Sequence, residues 1–441
     1  MIQRWQNLGL AGAIALGLVT LTRSPSTSQA ALPTSASQFD PSRSDLVASV
    51  DRQPYRFLVM GGGGAPSYNE IALEKNFLYF QRTLGTLGLS TAAADFYFAN
   101  GTDGQATVRY IDEQGQEQFK PPEIPELAGA STRQNLMRWI ATRPSDCPSF
   151  FYFTGHGTLN RRDIDNNAML LWGDDFFSVQ TLARLLDQTS PQAADQPFVT
   201  MMAQCFSGSF ANLIYEEGDP GKPVALQTRC GFFATVATRP SVGCTPMVNE
   251  ADYRDYSSSF FAGLSGVDRS GLPVASADYN RDDTISFAEA HAFAKVDEET
   301  SDWPISTVEA WLQRRIDTSA RDRILNQPLA DWQGIARAEQ QFVIAALSEK
   351  LQFDQSLSYA QNLARTGKTV EPDSYSVEQA YLMRLQMELV NVAAEAQVRT
   401  SDDGEAIAVL DRLIACEASS PTSVEPQTNA PVMQPTVGNL R

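Results

Sequence analysis

The chain has 441 residues, of which 43% are hydrophobic and 20% charged, a globular composition with enough apolar material for a substantial core. Its formal net charge of −18 repels phosphate backbones and anionic lipid, so neither nucleic acid nor a lipid surface is expected as a partner. That acidity also suits a soluble protein in contact with divalent cations.

At the N-terminus Arg4 precedes an apolar run from Leu8 to Leu21, and Ser28-Gln29-Ala30 follows as a small-x-small cleavage site. This order predicts a secretory signal over residues 1–30, with a periplasmic or extracellular mature protein. Membrane attachment is expected only through that segment if it stays uncleaved. Residues 31–53 are rich in Ser, Ala, Pro and Asp and read as a linker.

From Tyr55 the texture changes. An apolar strand at 56–60 runs into Gly61–Gly64, and helical spacing follows over 68–87. A second strand is expected at 94–99, a hairpin arm at 107–111, and a helix over 131–141 capped by Ser131 or Thr132. Further strands are expected at 149–154, 169–172, 197–203 and 230–237. Helices are expected over 178–187, from Ser207 and over 255–264. Apolar strands alternating with helices predict an α/β fold with a largely parallel sheet covered on both faces. In such folds ligands gather beyond the C-terminal ends of the strands.

From about residue 271 the pattern becomes helical, near 286–298, 304–317, 334–352, 376–398 and 403–416. Residues 419–441 are rich in Pro, Ser, Thr and Asn and are expected to be disordered. Five cysteines are present, and in an oxidising compartment an odd count leaves at least one thiol free. Four structural cysteines plus a reactive Cys205 is one partition. Cys230 and Cys244 are close enough to close a small loop, one pairing among those that sequence leaves open.

Only two histidines occur. His156 lies in Thr154-Gly155-His156-Gly157 and Cys205 in Gln204-Cys205-Phe206-Ser207-Gly208, each directly after an expected strand. His156 precedes Cys205 by 49 residues, close to the separation of about 50 in caspase-type enzymes. A helix beginning just beyond Cys205 is expected to aim backbone N–H groups at the sulfur and favour thiolate. Gly61–Gly64 lacks the Lys-Ser/Thr of a phosphate-binding loop.

The Thr-Gly-His-Gly and Gln-Cys-Phe-Ser-Gly pair resembles the caspase-like cysteine peptidases, closest to their legumain-type branch. The stretches 232–240 and 253–257 are similar to legumain's post-nucleophile strand and pocket-lining segment. The resemblance covers 54–270 and implies a caspase-like sheet and a cysteine endopeptidase acting on peptides or proteins. It implies Cys205 as nucleophile, His156 as acid–base, and the backbone N–H groups of Gly157 and Cys205 as the oxyanion hole. It also implies a substrate pocket with Asp255 and Gln204, with Asp174 and Asp175 as other acids. Two positions depart from the family. Ala203 stands two residues before the cysteine where an acid or glutamine is usual, and Gly61–Gly64 replaces an asparagine. These departures leave room for an inactive peptide-binding module, and a shared acyl-enzyme leaves room for a transpeptidase or ligase. The helical region after about residue 330 is expected to cover the active site of a zymogen, as legumain's C-terminal region does.

A second motif lies within 271–300, followed by the helical region 301–418. Asp278, Asn280, Asp282, Thr284, Ser286 and Glu289 match the oxygen positions of an EF-hand-like calcium loop, with Ile285 at its apolar eighth position. Asp283 stands at position six, where glycine is usual. Calcium is the expected ion, and His291, one turn into the following helix, is expected to be structural.

Overall fold

The computed structural model describes residues 55–189 and 194–422. The expected signal segment, the whole of the expected linker and most of the polar tail lie outside these residues. Among the described residues no helix is long and apolar enough to cross a membrane.

The first expected strand is β1 (Arg56–Gly62). Helix α1 (Ile71–Thr86) follows, then β2 (Ala94–Phe98), the hairpin β3 (Val108–Ile111) and β4 (Glu117–Lys120), and β5 (Leu127–Gly129). Helix α2 (Arg133–Thr142) starts at Thr132, whose hydroxyl accepts from the Asn135 N–H, so the expected cap holds. Strand β6 (Ser149–Gly155) leads into the small meander β7 (Gly157–Thr158), β8 (Ala168–Leu171) and β9 (Asp175–Ser178). Then come α3 (Val179–Asp187), β10 (Phe198–Met202), β11 (Arg229–Phe233), α4 (Tyr256–Ser265), α5 (Phe287–Asp297) and β12 (Ile305–Ser306).

The main sheet has seven strands in the order β12-β11-β10-β6-β1-β2-β5. Every pairing is parallel except that of β12 with β11. The order reverses between β1 and β6, which makes the ends of these strands the crevice expected of an open parallel sheet. Alternation divides the strand residues between two buried faces. Phe57, Val59, Phe150, Tyr152, Val199 and Phe232 pack on one side with Phe80 of α1 and Phe261 of α4. Leu58, Met60, Phe151, Phe153, Met202 and Phe233 pack on the other with Trp139 of α2 and Leu182 of α3.

The C-terminal region is helical: α6 (Thr307–Gln313), α7 (Thr318–Leu325), α8 (Leu329–Gln333), α9 (Ala338–Leu351), α10 (Tyr359–Thr366), α11 (Val377–Arg399) and α12 (Gly404–Glu417). Its apolar residues form a cluster that also takes in Ile214, Tyr215, Ala292 and Val296, and it is tied to the sheet in two further ways. Strand β12 extends the sheet edge, and Cys416 of α12 forms a disulfide with Cys230 of β11. This corrects the pairing of Cys230 with Cys244. It also corrects the partition into four structural cysteines, since Cys147, Cys205 and Cys244 are all free. Two cysteines 186 residues apart in sequence meet only through the completed fold.

Candidate active site

Neighbouring strands β1, β6 and β10 deliver the glycine loop, His156 and Cys205 to one end of the sheet, with Gly62 opposite Gly155 and Met202 opposite Phe153. Two glycines permit the close approach. A Cβ on Gly157 would stand 2.0 Å from the Cys205 carbonyl oxygen, and one on Gly63 would stand 2.0 Å from the Tyr68 carbonyl oxygen. The histidine loop therefore lies directly against the backbone of Cys205. Phe206 has φ 60°, a left-handed conformation unusual for a bulky residue. Its N–H donates to the Arg239 carbonyl at 2.9 Å, which ties the turn after Cys205 to the 239–245 loop.

The His156 side chain is 25% exposed. Its Nε2 lies 2.9 Å from the Tyr68 carbonyl oxygen and 3.0 Å from Glu70 Oε2. Both partners are acceptors, so Nε2 carries the proton. Glu70 is buried at the start of α1, and its other oxygen accepts from Arg109 at 2.8 Å. Burial alone would lower the imidazole pKa. The Cys244 thiol and the Glu70 carboxylate outweigh it and push His156 up to about 10. Burial likewise raises Glu70, but His156 and Arg109 together hold it below its usual value.

Cys205 is half-buried. Its sulfur accepts from the Ser241 N–H at 3.3 Å and donates to the Ser241 carbonyl at 3.5 Å. It makes no hydrogen bond to His156. Burial pushes the Cys205 thiol up to about 11. The Ser241 N–H opposes this, while Cys244 and Asp302 add to it. The expectation of a thiol lowered by a helix N-terminus is thus reversed. Residues Ser207–Ile214 form a 3-10 run rather than an α-helix, and burial with two nearby acidic groups dominates. Asp302 belongs to the same arrangement, since its carboxylate accepts from the Ser241 hydroxyl and from the Val242 N–H at 3.1 Å.

The thiol that meets His156 is Cys244. Ligand atoms of Glu70, His156 and Cys244 all lie within 4.8 Å of one another, and the Cys244 sulfur is 3.8 Å from the Gly155 carbonyl oxygen. Neither Glu70 nor Cys244 stands out in the sequence. Glu70 sits in no motif and is 86 residues from His156, and Cys244 reads as half of a local disulfide. The one available signal is the odd cysteine count, which requires some thiol to remain free.

The other expected site residues are placed as follows. The backbone N–H of Cys205 faces its own sulfur, and Gly157 opens β7 opposite Met169. Gln204 is only 1% exposed, and its Nε2 faces the Met202 sulfur at 3.7 Å. It lies behind the site rather than in an open pocket. Asp255 is 3% exposed and works as the N-cap of α4. One oxygen accepts from the Ser258 N–H at 2.8 Å, and the other accepts from Asn76 at 2.8 Å and from the Tyr253 hydroxyl at 3.4 Å. Both expected pocket residues are thus buried, Asp255 with structural donors on each oxygen, and neither edges the open groove beside Cys244. Asp174 accepts from the Tyr68 hydroxyl, and Asp175 pairs with Arg133 at 2.8 Å. The open space beside Cys244 is a groove of about 540 Å³ edged by Val242, Gly243, Thr245, Met247, Tyr253 and Tyr375.

In the 278–289 loop, Asp278 accepts from the N–H groups of Asp282 at 3.1 Å and Asp283 at 3.2 Å. Asp283 takes φ 64°, the left-handed turn that position six of such a loop needs. Helix α5 follows directly, capped by Ser286. The second half of the loop differs from the expectation. Glu289 accepts from the N–H groups of Tyr279, Asn280 and Ser286 and from the Ser286 hydroxyl, at 2.9–3.2 Å. Its Oε2 and the Ser286 hydroxyl form the capping box of α5, and its Oε1 is engaged by the Tyr279 and Asn280 N–H groups. The donor set of the first half fits calcium, and Glu289 as placed does not. His291 is buried, with Nδ1 2.6 Å from the Tyr256 hydroxyl, a structural contact.

No protein-family model matches the chain, and no curated protein matches it.

Proposed function

We propose that the chain is a caspase-like, legumain-type cysteine endopeptidase with Cys205 as nucleophile and His156 as acid–base group. The observation that carries this reading is the packing of Gly157 against the Cys205 carbonyl. It sets a histidine loop and a cysteine turn side by side at the ends of adjacent parallel strands. Glu70 adds a buried carboxylate that orients the imidazole. The Cys230–Cys416 disulfide supports an oxidising, periplasmic or extracellular compartment.

The chemistry follows from these groups. The Cys205 thiol gives its proton to bulk water as its sulfur adds to the scissile carbonyl carbon, and the Ser241 N–H that donates to the sulfur favours that loss. The amide C=O electrons move to oxygen. Collapse of that adduct expels the amine, which takes the His156 proton, and leaves a thioester on Cys205. Neutral His156 then accepts a proton from water as the water attacks the thioester, releasing acid and thiol. An amine in place of water would give transpeptidation by the same steps. The groove beside Cys244 has the size for a side chain and an adjoining length of peptide.

A second reading is favoured by one contact. Cys244, not Cys205, touches His156, so Cys244, His156 and Glu70 form a thiol–imidazole–carboxylate array. Calcium at 278–289 belongs to the proposal as a structural clamp that requires Glu289 to exchange its loop N–H bonds for the ion.

Labelling with a peptidyl electrophile and mass mapping separates these readings. Stoichiometric modification of Cys205, suppressed by His156→Ala, is the expected result. Modification of Cys244 instead transfers the nucleophile role to it. Labelling of neither thiol faster than Cys147 leaves a peptide-binding module.

A further inference from the structure

Three unlike donors converge beside the proposed nucleophile. Glu70 Oε2 and His156 Nε2 are 3.0 Å apart, and the Cys244 sulfur completes a set whose members lie within 4.8 Å of each other. Bonds of about 2.0 Å to nitrogen or oxygen and about 2.3 Å to sulfur place the tetrahedral zinc ligands of such a set roughly 3.3–3.5 Å apart. The three atoms reach those separations by side-chain adjustment alone. The donor set is a nitrogen, a sulfur and a carboxylate oxygen, which suits zinc and disfavours calcium or magnesium. A ligating carboxylate is normally held by an outer partner, and Arg109 fills that place on the other Glu70 oxygen at 2.8 Å. The His156 side chain is 25% exposed, so an ion has a path in.

We propose that Glu70, His156 and Cys244 form a zinc site with one open position, and that zinc held there switches off chemistry at Cys205. The silencing half rests on the thiol-peptidase reading, while the binding half does not. Binding displaces the proton of the His156 ring nitrogen that takes the metal and the proton of the Cys244 thiol, and both pass to solvent. With one nitrogen on the metal, His156 keeps only the weakly acidic N–H of a neutral imidazole on the other, and is no longer the imidazolium that protonates a leaving amine. The fourth position stays open to water.

The test uses metal-stripped full-length protein carrying Cys205→Ala, which removes the competing thiol. Titration with cobalt(II) is expected to give one equivalent with a thiolate-to-cobalt charge-transfer band, and zinc is expected to displace it. Cys244→Ser is expected to abolish the band, and Glu70→Gln to weaken binding roughly tenfold or more. Far-UV circular dichroism checks that each variant folds. If Cys244→Ser does not fold, protection of Cys244 from iodoacetamide by one equivalent of zinc replaces it as the readout. Absence of a band together with absence of protection overturns the site, as does a band that survives Cys244→Ser. Failure of the peptidase reading shows separately, as an unreactive Cys205 in metal-free wild-type protein with the cobalt band intact. A stoichiometric band with unchanged Cys205 labelling in zinc overturns the silencing half.

Discussion

Glu70 Oε2 lies 3.0 Å from His156 Nε2, while the other oxygen of the same carboxylate accepts a hydrogen bond from Arg109. The imidazole is therefore fixed in one orientation by a buried charge that is itself anchored. Glu70→Gln keeps the shape and removes the charge. A charge-assisted hydrogen bond contributes about 1.5–3 kcal/mol, so kcat for peptide hydrolysis is expected to fall roughly ten- to hundredfold. KM should change little, because Glu70 is buried and out of the groove. Steady-state kinetics on a peptide substrate checks this. An unchanged kcat would remove Glu70 from the mechanism.

The Cys205 thiol, pushed up to about 11, is mostly protonated at neutral pH. Iodoacetamide labelling at Cys205 is expected to rise about tenfold per pH unit between pH 7 and 9, since thiolate is the reactive form. Asp302 is among the causes of the high value. Asp302→Asn should therefore speed labelling at pH 7. A rate already flat from pH 6 would mean that thiolate and imidazolium are paired before substrate arrives.

Asp302 also links stability to pH. Burial pushes its carboxyl up, against hydrogen bonds from Ser241 and Val242 and the charge of Arg384, and Asp255 adds to the rise. Glu298 nearby is raised by burial as well. A carboxyl raised in the folded state holds its proton where the unfolded chain has lost it. Its contribution to stability is present at low pH and is lost as pH rises from about 4 towards 7. Urea unfolding should accordingly give a lower free energy at pH 8 than at pH 5, and Asp302→Asn should flatten that slope. An equal or steeper slope in the variant would assign the effect elsewhere.

How far these features were legible depends on how local their cause is. The strands around Leu58, Phe151 and Met201 announce themselves because they are buried on both faces and carry no polar alternation. The cap at Thr132 follows from one hydroxyl and one turn. The run after Cys205 was expected to be α-helical, but Gly208 lies against the 235–237 backbone and Phe206 turns left-handed, so a tighter 3-10 run forms. Asp255 was read as a pocket acid because its neighbours resemble such a segment. Its engagement by Asn76, 179 residues away, is invisible in a linear pattern. Glu70, Cys244 and the Cys230–Cys416 link share that property, since each acts only through contacts that the completed fold creates.

Arg384 of α11 ties the helical region to the end of α5 and the segment that follows it. It is fully buried and donates to the carbonyls of Lys295, Glu298, Thr300 and Asp302 at 2.7–3.2 Å. Asp302 in turn holds Ser241, whose backbone contacts the Cys205 sulfur. The chain of contacts runs from the C-terminal region to the proposed nucleophile. Removing this guanidinium leaves four buried carbonyls without their donor. Arg384→Met is therefore expected to cost roughly 3–5 kcal/mol, the scale for breaking a buried charged network, and to alter Cys205 labelling. Deleting residues beyond 330 removes Arg384 and also Cys416, whose link to Cys230 spans 186 residues and is worth about 5 kcal/mol at most by loop closure. Such a truncated chain should lose cooperative unfolding and selective Cys205 reactivity. A truncation that folds and labels faster than the full chain would instead show that this region restrains a zymogen.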